Sequence, residues 1–366
     1  MCSLADSVSN SENTGRSDCR TLAPACVSII APIRDEDASI GALIDALLTQ
    51  SYQPAEIILT DGGSSDQTRE IVRELQKSSS VPIVLIETAH AYPGRGRNLA
   101  IAQAQNDWIA SIDAGIVPDS NWLKELLKAA IENPDALIVY GRFEPVTDTL
   151  FSECAAVTYV SPLANSRFIA SSLLHKSAWQ AANGFREDLR TGEDLVFFEN
   201  LDKAQVPDAH SQGAVIFWTL RPSFAQTATY FVASSFHSLR AGLFFNWHYN
   251  VSRLYLLILG VCLAGYFQPA LLWAVPLIFL LRTERRMFRW YRVKNPNQLW
   301  SKLLDPSRVL MVTSINLVID AAMFCGMFLW IMRDCVAAGL ERRVRTDKHA
   351  CRWTSSNNYD SPRSRH

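Results

Sequence analysis

The sequence lacks the features that define several protein classes. None of its eight cysteines forms a Cys-x-x-Cys pair, and no cysteine spacing matches a zinc site or a disulfide framework. Basic residues number 35 against 36 acidic ones, so the excess of positive charge typical of nucleic-acid-binding proteins is missing. A content of 48% apolar residues, with 16 glycines and 16 prolines, excludes collagen-like and wholly disordered chains.

The first 24 residues also lack the apolar segment of a signal peptide. They are rich in serine, asparagine and aspartate, and we predict that 1–24 is a disordered tail. We expect the part of the chain that follows this tail to be cytoplasmic. At the other end, 339–366 is a basic stretch that we also predict to be disordered.

Short β-branched segments alternate with amphipathic segments between residues 27 and 141. The predicted strands cover 27–32, 56–60, 81–87, 108–112 and 136–141, and the predicted helices cover 38–50, 68–77, 98–105 and 122–131. This alternation predicts an α/β fold, in which a mostly parallel sheet is covered by helices on both faces. Ligands of such sheets bind beyond the carboxyl ends of the strands, so polar residues at those ends are candidates for function.

Three of the predicted strands end in such polar residues. The first runs into Pro32–Glu36, the second into Asp61-Gly-Gly-Ser-Ser-Asp66-Gln-Thr68, and the fourth into Asp113-Ala-Gly115. Asp66 is placed to cap the helix that begins near Thr68. Because Asp61 and Asp113 each follow a buried strand at one edge of the sheet, we expect them to converge on a polar site.

Two further segments carry charged residues at predicted helix starts. Gly94-Arg95-Gly96-Arg97-Asn98 combines glycines, which let a ligand approach the backbone, with planar guanidinium donors. This segment either binds a diphosphate or forms a solvated basic turn. It is not the dinucleotide-binding pattern G-x-G-x-x-G, because Leu99 stands where that pattern has its third glycine. Glu193-Asp194 opens an apolar helical stretch, where the acids are either favoured by the helix dipole or include a general base.

In this order, the motifs of residues 27–240 resemble those of the family 2 (inverting) glycosyltransferases with a GT-A fold. The resemblance implies that Asp61 contacts the nucleotide base, that Asp113 is the first residue of the family's Asp-x-Asp motif, and that Asp194 is the catalytic base with Glu193 beside it. The further donor-binding residues that it implies are Pro32, Arg34, Glu36, Gly63, Gly94, Arg95, Arg97 and Asn98.

The sequence departs from the family pattern at two places. Gly115 occupies the third position of Asp-x-Asp, so the divalent cation (Mg²⁺ or Mn²⁺) that the family uses would be held by Asp113 and the donor phosphates. The nearest match to the Gln-x-x-Arg-Trp motif of processive members is Arg286-Met-Phe-Arg289-Trp290, which lacks the glutamine. Transfer of a single sugar is therefore favoured over polymer synthesis, and this basic, aromatic segment suits anionic lipid headgroups.

A membrane region follows the predicted catalytic domain of 25–245. Within 246–338, segments 254–281 and 309–332 are hydrophobic, with Asp320 the one acid in the second. The first segment is either one kinked span or a hairpin, and the basic residues on both sides of the second do not settle the topology by the positive-inside rule. We expect a membrane protein, multi-pass or anchored by a hairpin, with its catalytic domain in the cytoplasm.

These features predict a membrane-anchored enzyme that transfers one sugar, with inversion, from a nucleotide-sugar donor to a lipid-linked or saccharide acceptor. Surface or extracellular glycan synthesis is the expected role, with membrane lipids as partners and no nucleic acid. Phe143, Tyr159, Phe168 and Trp179 either stack on the acceptor or pack in the core. The alternatives are a non-catalytic scaffold subunit that binds nucleotide sugars and a nucleotidylyltransferase, although the latter would carry a Gly-rich, Lys-containing loop after the first strand.

Overall fold

A computed structural model of the chain describes residues 26–162, 166–245 and 248–335. The described residues form two compact units. The first comprises the residues up to Ser223 together with Pro276–Asn316, and the second comprises Phe224–Val275 and the described residues from Leu317 onward. The predicted tails, 1–24 and 339–366, lie outside the described residues.

Eight strands in the described part of the first unit form one sheet. They are β1 (Val27–Ile33), β2 (Glu56–Asp61), β3 (Ile83–Glu87), β4 (Trp108–Ile112), β5 (Ile116–Pro118), β6 (Ile138–Val146), β7 (Ser171–His175) and β8 (Asp208–Thr219). Their order in the sheet is β3-β2-β1-β4-β7-β6-β8-β5. The four strands β1, β2, β3 and β4 are parallel to one another. Strand β7 pairs antiparallel with both β4 and β6, whereas β8 pairs parallel with β6 and antiparallel with β5.

Helices cover both faces of this sheet. They are α1 (Ile40–Leu48), α2 (Thr68–Ser78), α3 (Pro93–Gln103), α4 (Trp122–Glu132), α5 (Leu150–Tyr159), α6 (Lys176–Ala181) and α7 (Glu193–Lys203). Successive residues of β1 point into different cores: Ile29 packs with α1, α2 and α4, whereas Ile30 packs with α3, α6 and α7. Burial on both faces explains why the central strands are continuously apolar.

The predicted α/β fold class is confirmed, with local differences. The strand predicted at 136–141 is β6, but its neighbour β7, which the sequence did not indicate, runs antiparallel to it. The pairing of β6 with β8 shifts register between Tyr140 and Arg142. The intervening Gly141 is required there, because a Cβ atom would overlap the Ser171 hydroxyl.

The remaining described chain is helical. It comprises α8 (Phe224–Arg240), α9 (His248–Phe267), a 3₁₀ turn (Pro269–Trp273), α10 (Ala274–Lys294), a second 3₁₀ turn (Pro296–Gln298), α11 (Leu299–Leu303), α12 (Pro306–Trp330) and a π-helical turn (Ile331–Cys335). By length and composition, α9 and the segment Pro306–Asp334 could cross a membrane. The predicted hydrophobic segment 254–281 is not one helix, because it is broken between Phe267 and Pro269.

Several basic residues after the first hydrophobic segment bind protein carboxylates. Glu153 on α5 accepts hydrogen bonds from Tyr291 (2.9 Å), Lys302 (2.8 Å) and Arg308 (3.0 Å). This contact joins Pro276–Asn316 to α5 within the first unit.

The predicted headgroup-binding segment makes protein contacts of the same kind. Arg286 donates to the carbonyl of Thr158, and Trp290 is 4% exposed. Trp290 is therefore buried and Arg286 half-buried, whereas Arg285 and Arg289 of the same segment are exposed, and its contact with lipid headgroups stays a prediction.

Candidate active site

Arg97 connects three of the motifs that the sequence singled out. It lies on α3 and is 2% exposed. Its two terminal nitrogens donate to Glu193 Oε1 at 2.7 Å and to Asp113 Oδ1 at 2.5 Å. Asp113 directly follows β4 and Glu193 is the first residue of α7, so the guanidinium joins α3, β4 and α7 at one place. Of the two residues expected to converge here, Asp113 lies in this cluster, whereas Asp61 contacts Gly63, Ser64 and Arg69.

The two acids at the start of α7 differ in burial and pairing: Glu193 is buried and paired with Arg97, whereas Asp194 is half-buried. Burial raises the pKa of Glu193, although the nearby Arg97 charge opposes this shift. Burial also raises the pKa of Asp194, whose Oδ1 accepts a bond from the Leu195 amide at 2.8 Å. Within the described residues, Asp194 forms no salt bridge, so its carboxylate is held by the start of the helix alone. A carboxyl with a raised pKa beside charged partners has the properties of a general base.

Asp61 organises the turn after β2. It is fully buried, and its carboxylate accepts bonds from the amides of Gly63 (3.2 Å) and Ser64 (3.1 Å) and from the Ser64 hydroxyl (2.5 Å). The guanidinium of Arg69 lies 3.3 Å from its second oxygen. Gly63 adopts a left-handed conformation (φ +91°) that favours glycine. The predicted contact of Asp61 with a nucleotide base stays a prediction, whereas its role in the turn is observed.

Hydrogen bonds lock the loops after β1 and β2 together. The Ser64 hydroxyl accepts from the Asp35 amide (2.9 Å), and Asp66 Oδ2 accepts from the Asp37 amide (3.0 Å). The other oxygen of Asp66 accepts from the amide of Thr68 at 3.0 Å, so Asp66 caps α2 as predicted. The two predicted donor-binding loops are therefore joined by hydrogen bonds, and we refer to them together as the rim.

Glu36 lies at the end of this rim, beside the loop that follows β4. Its amide donates to Thr68 Oγ1 at 2.7 Å, and its carbonyl accepts from the amides of Ser39 and Ile40 at the start of α1. Ser39 also donates through its hydroxyl to Glu36 Oε2. A Cβ atom built on Gly115 would lie 3.7 Å from the same Oε2. The carboxylate of Glu36 is therefore next to the third position of the reduced Asp-x-Asp motif.

The segment expected to contact a diphosphate is the first part of α3, which begins at Pro93, five residues before the predicted start. A Cβ atom on Gly94 would overlap the carbonyl oxygen of Arg186, so this glycine allows close packing between protein segments. Asn98 exchanges hydrogen bonds of 2.9 Å with the backbone of Phe185 and accepts one of 2.9 Å from Trp179. These contacts give Gly94 and Asn98 structural roles that the sequence did not indicate.

Three further predicted donor-binding residues are Pro32 and Arg34, at the start of the rim, and Arg95 on α3. Pro32 is half-buried at the end of β1, and Arg34 and Arg95 are exposed. Arg34 lies 3.3 Å from the Nδ1 atom of His90, whose ring contacts that of Tyr92 edge-on with centroids 4.7 Å apart. Exposed guanidinium groups at this place are available to anionic ligands.

The carboxylates of Asp113 and Glu36 are suitable ligands for a hard divalent cation such as Mg²⁺. The described residues contain no group of three or more His, Cys, Asp or Glu side chains positioned around a metal ion. Mg²⁺, however, is usually held by one or two carboxylates together with substrate phosphates and water. Asp113 is 36% exposed and binds Arg97 through Oδ1, and the Glu36 carboxylate lies at the same loop. Carboxylate oxygens are the donors that such a cation prefers.

The aromatic candidates fall into two groups. Phe143 contacts Phe168 and Trp218, with ring centroids 4.9 Å and 5.0 Å apart, and all three rings are half-buried. Trp218 pairs with Ile116, which lies three residues after Asp113. The sequence did not indicate Trp218 as a candidate acceptor-binding residue, because it lies within a strand and not among polar residues at a strand end. Trp179 instead binds Asn98 as part of the packing around α3.

Comparisons with known proteins identify the family of the segment that holds most of these residues. Residues 28–158 match the model of glycosyl transferase family 2. The chain carries a family 2 glycosyltransferase domain. The match includes Asp61, Arg97 and Asp113, and it ends before Glu193.

Similar proteins include two bacterial transferases and a bacterial biosynthesis protein. The poly(ribitol-phosphate) β-N-acetylglucosaminyltransferase TarS of Staphylococcus aureus is 27% identical over 183 residues, which are 46% of this chain and 31% of TarS. The glucosyltransferase WfgD of Escherichia coli is 31% identical over 123 residues (33% and 47%). The succinoglycan biosynthesis protein ExoA of Rhizobium meliloti is 27% identical over 194 residues (48% and 58%). The chain thus spans about a third to three fifths of these relatives.

Solved structures of transferases also superpose on much of the chain. The structure of S. aureus TarS 1–349 in complex with UDP-GlcNAc has a TM-score of 0.46 and 17% identity, covering 81% of this chain and 90% of the other. The mannosyltransferase PcManGT of Pyrobaculum calidifontis, in complex with GDP-Man and Mn²⁺, has a TM-score of 0.49 and 14% identity, covering 84% and 87%.

Proposed function

We propose that this protein is a membrane-associated glycosyltransferase that moves one sugar from a nucleotide-sugar donor to an acceptor hydroxyl with inversion. The observation that carries this proposal is the ion pair of Arg97 with Asp113 and Glu193, which gathers the charged motifs of a family 2 domain beside Asp194. Such an arrangement places a candidate base, Asp194, close to Asp113, a carboxylate that could hold a cation for the diphosphate leaving group.

Each residue has a defined role in this proposal. The rim formed by the loops after β1 and β2 binds the nucleotide, with Arg34 and Arg95 near the phosphates. Asp194 takes the proton of the acceptor hydroxyl, and the acceptor oxygen forms a bond to the anomeric carbon as the bond to the diphosphate oxygen breaks. A divalent cation held by Asp113 supplies positive charge to the departing diphosphate when it is bound. Attack on the side opposite the leaving group inverts the anomeric configuration.

We infer that the acceptor is presented at a membrane as part of surface glycan or glycolipid synthesis. WfgD is named for a diphosphoundecaprenol acceptor, TarS for poly(ribitol-phosphate) and ExoA for succinoglycan biosynthesis. The 20 residues of α9 would extend about 30 Å, the thickness of a bilayer core. Its side chains Leu256, Leu263 and Phe267 are 67%, 62% and 84% exposed, which suits contact with lipid. We place the catalytic domain on the cytoplasmic side, where nucleotide sugars are made.

A two-step experiment on the full chain in detergent or lipid tests this function. Calorimetric titration with UDP and GDP, each with and without Mn²⁺, measures donor-site binding. Incubation with UDP- and GDP-sugars and a lipid diphosphate acceptor then measures release of the nucleoside diphosphate and the anomeric configuration of the product. A transferase gives an inverted glycoside, whereas a scaffold binds nucleotide without transfer and a nucleotidylyltransferase releases pyrophosphate. Either of the last two results would refute the proposal.

A further inference from the structure

The candidate site contains more carboxyl groups than its buried cation, Arg97, can pair with. Arg97 faces Asp113 and Glu193, with Asp194 adjacent to Glu193, and Glu36 lies at the loop that follows Asp113. A nucleoside diphosphate would add further negative charge at the same place. Because Arg97 is already bound by two carboxylates, it is a poor partner for the phosphates, and a divalent cation would add positive charge beside that of the exposed Arg34 and Arg95.

Glu36 is held with its carboxylate toward Gly115. The Thr68 hydroxyl fixes its amide at 2.7 Å, and its carbonyl and Oε2 bind the first residues of α1. A Cβ atom built on Gly115 would lie 3.7 Å from Oε2 of Glu36. An aspartate at 115 would therefore direct its carboxylate into the region that Glu36 already occupies. Gly115 itself has φ +74°, a conformation that aspartate tolerates better than most residues.

We propose that Glu36 supplies the second carboxylate for a divalent cation bound with the donor diphosphate, in place of the residue that Gly115 lacks. Asp113, 36% exposed, supplies the first carboxylate from the end of β4, and Glu36 supplies the other from the rim after β1. Two carboxylates together with phosphate oxygens and water form a ligand set that Mg²⁺ and Mn²⁺ accept. The inference rests on the proposed function, because the diphosphate completes the set.

Binding of Mn²⁺ to the full chain, measured by the loss of the free-ion electron paramagnetic resonance signal, tests this assignment without an activity assay. Titrations are made with the ion alone and in the presence of UDP or GDP. The variants are Glu36→Gln, Glu36→Gln combined with Gly115→Asp, and Ser39→Ala, which removes the hydroxyl that orients Glu36. The matched control is Glu70→Gln, because Glu70 is an exposed acid on α2 that is paired with Arg73.

The wild-type chain is expected to bind Mn²⁺ in the presence of a nucleoside diphosphate. Glu36→Gln should weaken that binding at least about tenfold, Ser39→Ala should weaken it less, and Glu70→Gln should leave it unchanged. Adding Gly115→Asp to Glu36→Gln should restore most of the Mn²⁺ affinity. The new aspartate would supply a carboxylate to the region that the Glu36 carboxylate occupies in the wild type. Restoration also shows that the loss does not come from misfolding.

Two results would overturn the assignment while the proposed function stands. One is nucleotide binding by the wild-type chain without uptake of Mn²⁺. The other is equal Mn²⁺ affinity of wild type and Glu36→Gln. Failure of the folded chain to bind either nucleotide under any condition refutes the proposed function itself, and the assignment with it.

Discussion

Arg97 and Glu193 lie 96 positions apart in the sequence and form an ion pair of 2.7 Å in the protein interior. The same guanidinium binds Asp113, so one side chain fixes the relative positions of α3, the end of β4 and the start of α7. Glu193 and the neighbouring Asp194 would repel one another and Asp113 without this cation. Arg97 therefore organises the site before any ligand binds.

Replacing Arg97 by methionine should reduce the free energy of unfolding by about 3 kcal/mol, since it leaves buried carboxylates unpaired. The deficit should shrink as the pH is lowered, because protonation of Glu193 removes the uncompensated charge. Urea unfolding of the detergent-solubilised chain at pH 7 and pH 5 measures both effects.

The matched control is Arg95→Met on the same helix, where the side chain is exposed and the expected change is within about 0.5 kcal/mol. Equal destabilisation by the two substitutions would show that the buried pairs do not stabilise the fold.

The place of Asp113 in a polar site was predictable, because the strand ends of an α/β sheet meet at one edge. The partners of Arg97 were not, since they depend on the distance between two helices that are remote in sequence. The start of α3 was predicted too late because Gly94 and Gly96 lower helix propensity. Tertiary packing overrides that cost: a Cβ atom on Gly96 would lie 3.1 Å from the side chain of Pro32. β7 was missed because its pairing with β4 and β6 is a long-range property.

Asp194→Asn should lower the rate of sugar transfer by about 10²- to 10⁴-fold while nucleotide binding is retained, because the amide cannot accept the proton. Burial raises the pKa of Asp194, so the wild-type kcat/KM should fall with decreasing pH while the pH is still well above 3.8. Initial rates over a pH series, with calorimetry for the nucleotide, measure these effects.

Asp202→Asn serves as the control, because Asp202 is an exposed acid on the same helix. Full transfer by Asp194→Asn, or a rate that stays constant down to pH 4, would rule out Asp194 as the base.

Glu153→Gln should destabilise the first unit by about 2 kcal/mol, because Lys302 and Arg308 lose their shared carboxylate. Burial alone would raise the pKa of Glu153, but bonds from Arg308, Lys302 and Tyr291 outweigh it, and the pKa is lowered. This contribution to stability is therefore present above the ordinary pKa of 4.5 and is lost as the pH falls through the lowered value. Thermal unfolding between pH 3 and pH 7 should show that loss in wild type and not in the variant. A variant that follows the wild-type curve throughout would exclude a stabilising role of these contacts.

Gly94→Ala and Gly41→Ala form a matched pair, since both place a methyl group on a helical glycine of the same unit. At position 94 the methyl would overlap the Arg186 carbonyl oxygen, so α3 must shift, at a cost of about 1–3 kcal/mol. At position 41 no atom lies within 4 Å, and the higher helix propensity of alanine should stabilise α1 by up to about 1 kcal/mol. Urea unfolding should therefore show a lower free energy of unfolding for Gly94→Ala and a higher one for Gly41→Ala. A shift of α3 also displaces Arg97, so Gly94→Ala should reduce sugar transfer, whereas Gly41→Ala should not. Destabilisation by both substitutions would contradict this account, because it would show that the cost does not arise from the close packing of α3.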